Sequence, residues 1–371
     1  MSYPQIVQEF LELVRIPSHS FRERKLTDVV KAKLEHLGLR VEEDNVGSLI
    51  GGNSGNLIAV WPGNPKLTPV LFSAHLDRVA NPGKIVPKIV AERIVSQGDT
   101  ILGADDISGV VAILDGIRRV QARGADHGDV EVFFSVAEEV GLKGSKYADL
   151  SKLRSRHAYV LDTGGPVGTL IHQAPTQYTF TITITGRASH AGIAPELGLN
   201  AINVGVAALS SLPEGRISPN TTANFGIIHG GKATNIVCDQ VEIQGEARSH
   251  VDSELEAYLE QMQKVFSETC ARRGAGLNID LTHEYSHFDV PLDAPVLNIA
   301  TQVFQDMGIQ SQILAAGSGQ DGNNFNAFNI QSVGLSPGYN HIHSEREEQS
   351  ISELILIGEV VEKLILAYGA L

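Results

Sequence analysis

The chain has 371 residues, 42% of them hydrophobic, which provides core for two domains or for one domain with a large insertion. Its net charge of −14 disfavours nucleic acid and anionic membrane as partners, and no apolar run approaches the length of a bilayer span. The two cysteines, Cys238 and Cys270, form no CxxC, which argues against a thiolate metal site and for a reducing compartment. With no basic-then-apolar leader in Met1-Ser2-Tyr3-Pro4-Gln5, a soluble cytoplasmic protein is expected.

Residues 4–37 read as two helices. Ile6, Phe10, Leu11 and Val14 recur at helical spacing before Pro17, and Leu26, Val29, Val30, Leu34 and Leu37 do so before Gly38. Leu39 to Glu43 and Asn56 to Val60 read as strands separated by a glycine-rich turn. Val70 to Phe72 opens a buried strand that runs into His75 and Asp77, which in extended chain leave the same face. Loop and short strands follow over 78–102, then a helix over Gly109 to Val120 and strands at Val130 to Val136 and Ala158 to Leu161. This alternation predicts an α/β sheet covered by helices.

The pattern changes near residue 176. Tyr178 to Thr185 alternates Thr with Phe and Ile, as in a sheet with one solvated face. A helix at about 200–212, strands near 222–229 and 240–248, a long helix at about 252–273 and a strand over Leu277 to Glu284 complete a β-α-β-β-α-β order, the ferredoxin-like arrangement. The α/β pattern resumes after Pro291 and closes with a helix at 350–367. The expected division is therefore 1–175 with 288–371, and an inserted domain over 176–287.

Four polar clusters join His75 and Asp77 at predicted strand ends or helix starts: Asp105-Asp106, Glu138-Glu139, Asp162-Thr-Gly-Gly165 and His341-Ile-His343. In an open α/β sheet such positions converge beyond the carboxyl ends of the strands. Each cluster alone has an ordinary explanation as a helix cap, a first-turn carboxylate or a turn. Together they crowd carboxylates that repel unless protons or cations neutralise them. A divalent metal is the simplest neutraliser, and a His/carboxylate set suits Zn²⁺, with Mn²⁺ or Co²⁺ as alternatives. Gly317-Ser-Gly-Gln-Asp-Gly322 matches GxGxxG literally but has no early βαβ position, so it reads as a loop placing Asp321 near the same rim. His283 and His287 read as surface or lid histidines.

These residues resemble the M20 co-catalytic metallopeptidases, most closely the peptidase T-like branch. The resemblance covers essentially the whole chain through His75-Leu-Asp77, Gly103-Ala-Asp105-Asp106-Ile-Ser-Gly109, Glu138-Glu139-Val-Gly141, Asp162-Thr-Gly-Gly165 and His343-Ser-x-x-Glu347, and through Gly186-Arg-Ala-Ser-His190-Ala-Gly192 in the insertion. It implies a phosphorylase/hydrolase-like catalytic domain with a mixed, mostly parallel sheet, plus a ferredoxin-like lid through which the chain forms a homodimer. It implies two zinc ions, with Asp105 bridging, His75 and Asp162 completing one site, and Glu139 and His343 completing the other. Asp77 would orient His75, Glu138 would be the general base on a metal-bridging hydroxide, and His190 would stabilise the oxyanion, often from the partner subunit. Arg248, and more weakly Asn235, would hold the substrate carboxylate. The Asp105–Asp106 peptide bond is expected to be cis. An Asp at position 162 goes in this family with aminopeptidases and dipeptidases, so the substrate expected is a di- or tripeptide. The alternatives are an N-acyl-amino-acid amidohydrolase or an inactive ligand-binding relative. Arg78, where a small hydroxyl residue is usual, and a short 80–99 segment depart from the pattern, and both are expected near the substrate mouth.

Overall fold

The computed structural model describes residues 3–79 and 83–370. It divides into two compact units, one formed by the chain up to Ala174 together with Phe288 onward, the other spanning Pro175–His287.

The first unit is built on a nine-stranded mixed sheet. At its centre Val130–Ser135, Val70–His75, His157–Val160 and Gln331–Leu335 lie side by side and parallel. Antiparallel strands flank them: Leu57–Trp61 and Arg40–Glu43 on one side, Thr169–Ala174 and Phe288–Asp289 on the other. Every residue of Val70–His75 and of Val130–Ser135 is buried, as expected of strands covered on both faces. On one face the helix Ala104–Arg123 packs against the closing helix Ile351–Tyr368 and the first helix Gln5–Leu13. The approach is close enough that a Cβ at Gly116 would collide with Val361. Phe133, Leu71, Val160, Phe325 and Ile330 fill a separate core on the other face.

Thr169–Ala174 has no counterpart in the sequence reading. It is short and follows the Gly164–Gly168 turn, so it lacks the periodicity that marks a strand from sequence. It is nonetheless the strand that joins Gln331–Leu335 to Gln312–Ala315. A small antiparallel sheet of Pro87–Val90, Arg93–Ser96, Glu348–Ser350 and Tyr339–Asn340 holds the two arms of the loop that carries His343.

The second unit is a five-stranded antiparallel sheet. Its main strands run in the order Thr221–Gly230, Gln240–Ser249, Thr176–Thr185, Gly276–Tyr285, with the short Gly215–Arg216 at the edge. The strand Thr176–Thr185 alternates, with Phe180, Ile182 and Ile184 buried among residues of the helices Ala201–Leu209 and Asp252–Arg273. This is the order a split βαβ arrangement gives. No helix among the described residues is long and apolar enough to cross a membrane.

Candidate metal centre

The parallel strands deliver their polar ends to one rim. His75 is the last residue of its strand and pairs in register with Ser135, after which the neighbouring strand runs into Ala137, Glu138 and Glu139. Asp162 follows His157–Val160, the strand on the other side of Val70–His75. Asp105 stands at the start of the helix Ala104–Arg123, where Asp105 and Asp106 depart from helical geometry and the bond between them is cis. Ala137 and His343 adopt positive φ, at 51° and 57°, a region that residues with a Cβ seldom occupy.

Asp105 is the centre of the cluster. Its Oδ1 lies 3.0 Å from His75 Nε2, and its Oδ2 lies 3.3 Å from His343 Nε2. One carboxylate therefore faces two imidazoles, one through each oxygen. His343 Nε2 is also 3.0 Å from Glu139 Oε2, and His75 Nε2 is 3.9 Å from Asp162 Oδ1. The ligand atoms of His75, Asp105 and Glu139 lie within 4.8 Å of one another, and so do those of His75, Glu138 and Asp162. His75 Nδ1 sits 2.9 Å from the Asp77 carbonyl oxygen. An N–H donated there leaves Nε2 as the ring's metal-ligating atom.

Without cations the cluster is neutralised by protons. Burial, reinforced by Asp162, pushes Glu138 well above the usual carboxylate range. Burial, reinforced by Asp105, pushes Asp162 up to about 8. Glu139 is also raised by burial, against the pull of His343. Burial opposes the charging of His75, but the Asp105 and Asp77 carboxylates outweigh it and hold the ring well above its ordinary value. Hydrogen bonds to Asp105 and Glu139 lift His343 to about 10. For Asp105, burial is outweighed by the two histidines and the carboxyl falls below its usual range. Divalent cations would replace those protons, and two imidazoles among carboxylates are a donor set for zinc or a similar ion. The residues present therefore fit a two-metal centre.

Two family models match the chain. Residues 177–273 match the peptidase dimerisation domain of M20, and residues 56–171 match peptidase family M28. The protein YqjE of Bacillus subtilis is 36% identical over 361 residues, covering 97% of both chains. The solved aminopeptidase PepT of Bacillus cereus superposes with a TM-score of 0.89 at 34% identity, over 99% of this chain and 98% of that one. A tripeptidase of Staphylococcus aureus does so at 0.94 and 32%, with the same coverage. This chain belongs to the M20 peptidases. Within them it is peptidase T-like.

In this M20 peptidase several buried groups brace the clustered histidines and carboxylates. The Asp77 carboxylate accepts the N–H groups of Glu138 at 2.9 Å and Glu139 at 3.2 Å. It lies farther from His75 Nδ1, at 3.6 Å, so Asp77 orients the histidine through its carbonyl and the acidic pair through its carboxylate. Glu347, buried on the His343 loop, accepts the N–H groups of Gly103 at 2.5 Å and Asp105 at 3.1 Å. Asp321 is buried between the hydroxyls of Ser135 and Ser145, both at 2.5 Å. Tyr339 was not foreseen from sequence. Its hydroxyl donates to Asp105 Oδ1 at 3.3 Å and Asp162 Oδ1 at 3.1 Å, and its only sequence signal is its place two residues before His341.

Arg78 turns inward rather than into solvent. Its guanidinium is buried and donates to Ser18 Oγ at 2.9 Å and to the carbonyls of Val14, at 2.9 Å, and Ile16. These bonds anchor the end of the first helix, and the side chain packs so closely against Gly103 that a Cβ there would strike it. Residues 80–82 of the short segment lie outside the described residues.

The remaining candidates belong to the second unit. His190 is exposed, its Nδ1 accepting the Gly192 N–H at 3.2 Å. Its backbone bridges to Ile236, and the Asn235 carbonyl accepts the Ala191 N–H at 3.0 Å, so His190 and Asn235 share one local structure. Arg248 lies on the strand Gln240–Ser249 and pairs with Glu246 at 2.9 Å. His287 contacts Asp252 at 3.1 Å, and His283 stacks near Tyr178 with centroids 5.0 Å apart.

Proposed function

We propose that this M20 peptidase is a two-metal aminopeptidase that removes the N-terminal residue of short peptides, with Glu138 as its general base. The carrying observation is Asp105, whose two oxygens face His75 and His343 separately. That arrangement supports Asp105 as the ligand shared by two cations. His75 and Asp162 would complete one site, and Glu139 and His343 the other. Zinc suits the donors best, with Mn²⁺ or Co²⁺ as substitutes. Bound there, the ions would acidify a water molecule and polarise the scissile carbonyl. Glu138 would take the proton of the attacking water and deliver it to the leaving amine. Its burial beside Asp162 and His75 keeps the carboxylate next to the proposed ions, where the attacking water would lie. His190 would donate to the oxyanion. Arg248, with Asn235, would hold the terminal carboxylate of the substrate. The match of residues 177–273 to the peptidase dimerisation domain supports a homodimer formed through the lid.

The similar proteins described as an aminopeptidase and a tripeptidase support a free short peptide as substrate. The test is hydrolysis of unblocked tripeptides against N-acylated amino acids by purified protein loaded with zinc, alongside metal analysis. Two metals per chain and turnover of the free tripeptide are expected. Turnover of acylated amino acids alone would replace this reading with an amidohydrolase.

A further inference from the structure

The arm that carries Glu138 and Glu139 leaves the sheet and is then held by side chains. Four successive backbone N–H groups, those of Val136, Ala137, Glu138 and Glu139, donate to Asn56 Oδ1 at 3.0 Å, Glu23 Oε1 at 3.1 Å, and the two Asp77 oxygens at 2.9 and 3.2 Å. All three acceptor residues are fully buried. At the centre of the arm is Ala137, buried and at φ 51°. A residue with a Cβ persists there only when its surroundings over-determine it. Asp77 constrains the two residues after Ala137. The acceptor for the N–H of Ala137 itself is Glu23, which is 114 positions away in sequence.

Glu23 arrives on a loop applied to the arm at several points. Its Oε1 also accepts the Phe21 N–H at 2.8 Å, Ser20 donates to Asp77 Oδ2 at 2.7 Å, and the Lys143 ammonium lies 5.3 Å from the Phe21 ring centroid. The other oxygen of Glu23 is buried and has no hydrogen-bond partner among the described residues. A half-satisfied buried carboxylate weakens a fold rather than strengthening it, so stability alone does not account for Glu23.

We propose that Glu23 is a positioning residue for catalysis, its carboxylate holding Ala137 in the left-handed conformation that aims the Glu138 side chain. The inference rests on Glu138 being the base. The test compares Glu23→Ala with Glu23→Gln, whose amide oxygen still accepts the Ala137 N–H. Glu23→Ala is expected to lower kcat on a tripeptide about thirtyfold while KM stays within about threefold and two metals remain bound. Glu23→Gln recovers most of that loss. In the metal-free protein, hydrogen exchange at residues 136–139 accelerates about tenfold or more in Glu23→Ala, while Val130–Ser135 stays protected. Should the alanine variant not fold, Glu23→Asp, one methylene short of Ala137, carries the same expectations. The proposal is overturned by a kcat within about twofold of the parent, by unchanged exchange of the arm, or by a glutamine variant as impaired as alanine. Turnover retained by Glu138→Gln would instead remove the base assignment, and the exchange measurement would still decide the clamp.

Discussion

The two units use polar side chains in opposite ways. In the sheet unit Asp105, Glu138 and Asp162 are buried or nearly so, crowd around the buried His75, and shift one another's proton affinity. In the lid unit His190 and Asn235 are exposed; His190 Nδ1 accepts a neighbouring backbone N–H, and the Asn235 carbonyl accepts that of Ala191. Crowded like charges cannot be left alone in a protein interior, so the first set declares a ligand by its own electrostatics. Among the described residues His190 pairs with no carboxylate. Its role depends on what the assembled enzyme and a substrate bring to it.

This contrast orders the expected effects. Asp105→Ala removes the carboxylate that faces both imidazoles. It is expected to abolish stoichiometric metal binding and lower activity by about 10⁴-fold or more, read by metal analysis and peptide turnover. A variant that still held two metals would break the claim that the crowded set is one centre. Glu138→Gln keeps the ligands and removes the base, so kcat should fall about 10³-fold with metal content unchanged. His190→Ala should lower kcat about 10²-fold. Because the side chain is exposed, neither the melting temperature nor the metal content should move. A fall in either would show that the lid histidine belongs to the buried network after all.

The smallest effect is a pH dependence. Burial, with Asp77 adding to it, pushes Glu23 from its ordinary 4.5 to about 7. Between those values the folded chain binds this proton more tightly than the unfolded chain. The contribution of Glu23 to stability therefore falls as pH rises from about 4.5 to about 7, and levels off above that window. Glutamine cannot titrate. In metal-free protein, Glu23→Gln should gain on the order of 3 kcal/mol relative to the parent across that range, measured by urea unfolding at each end. A difference that stays flat with pH would mean that the Glu23 carboxyl titrates normally.

Much of the sheet unit was legible in the sequence because its elements carry simple signals. The continuous apolar runs of Val70–Phe72 and Val130–Val136 announce buried strands, and the polar pairs after them announce the rim. The lid was legible through the alternation of Tyr178 to Thr185. The supports were not legible. Tyr339 beside Asp105, Glu347 under Gly103, and Glu23 under Ala137 join residues more than a hundred positions apart, and no local pattern records such a pairing. The partners of Arg78 were not legible for the same reason. Its position beside Asp77 placed it near the chemistry, whereas its length let the guanidinium turn back to Val14 and Ser18.

Sequence by itself determined which residue types stand at each strand end, because hydrophobic period and turn chemistry act over a few residues. It also determined the order of the short motifs that mark the family. Tertiary structure alone decided which oxygen of Asp105 meets which histidine, and that the Asp77 carboxylate serves Glu138 and Glu139. Those outcomes depend on distances set when the sheet, the helix start and the His343 loop close on one another, and hydrogen bonds of about 3 Å tolerate little error in that closure.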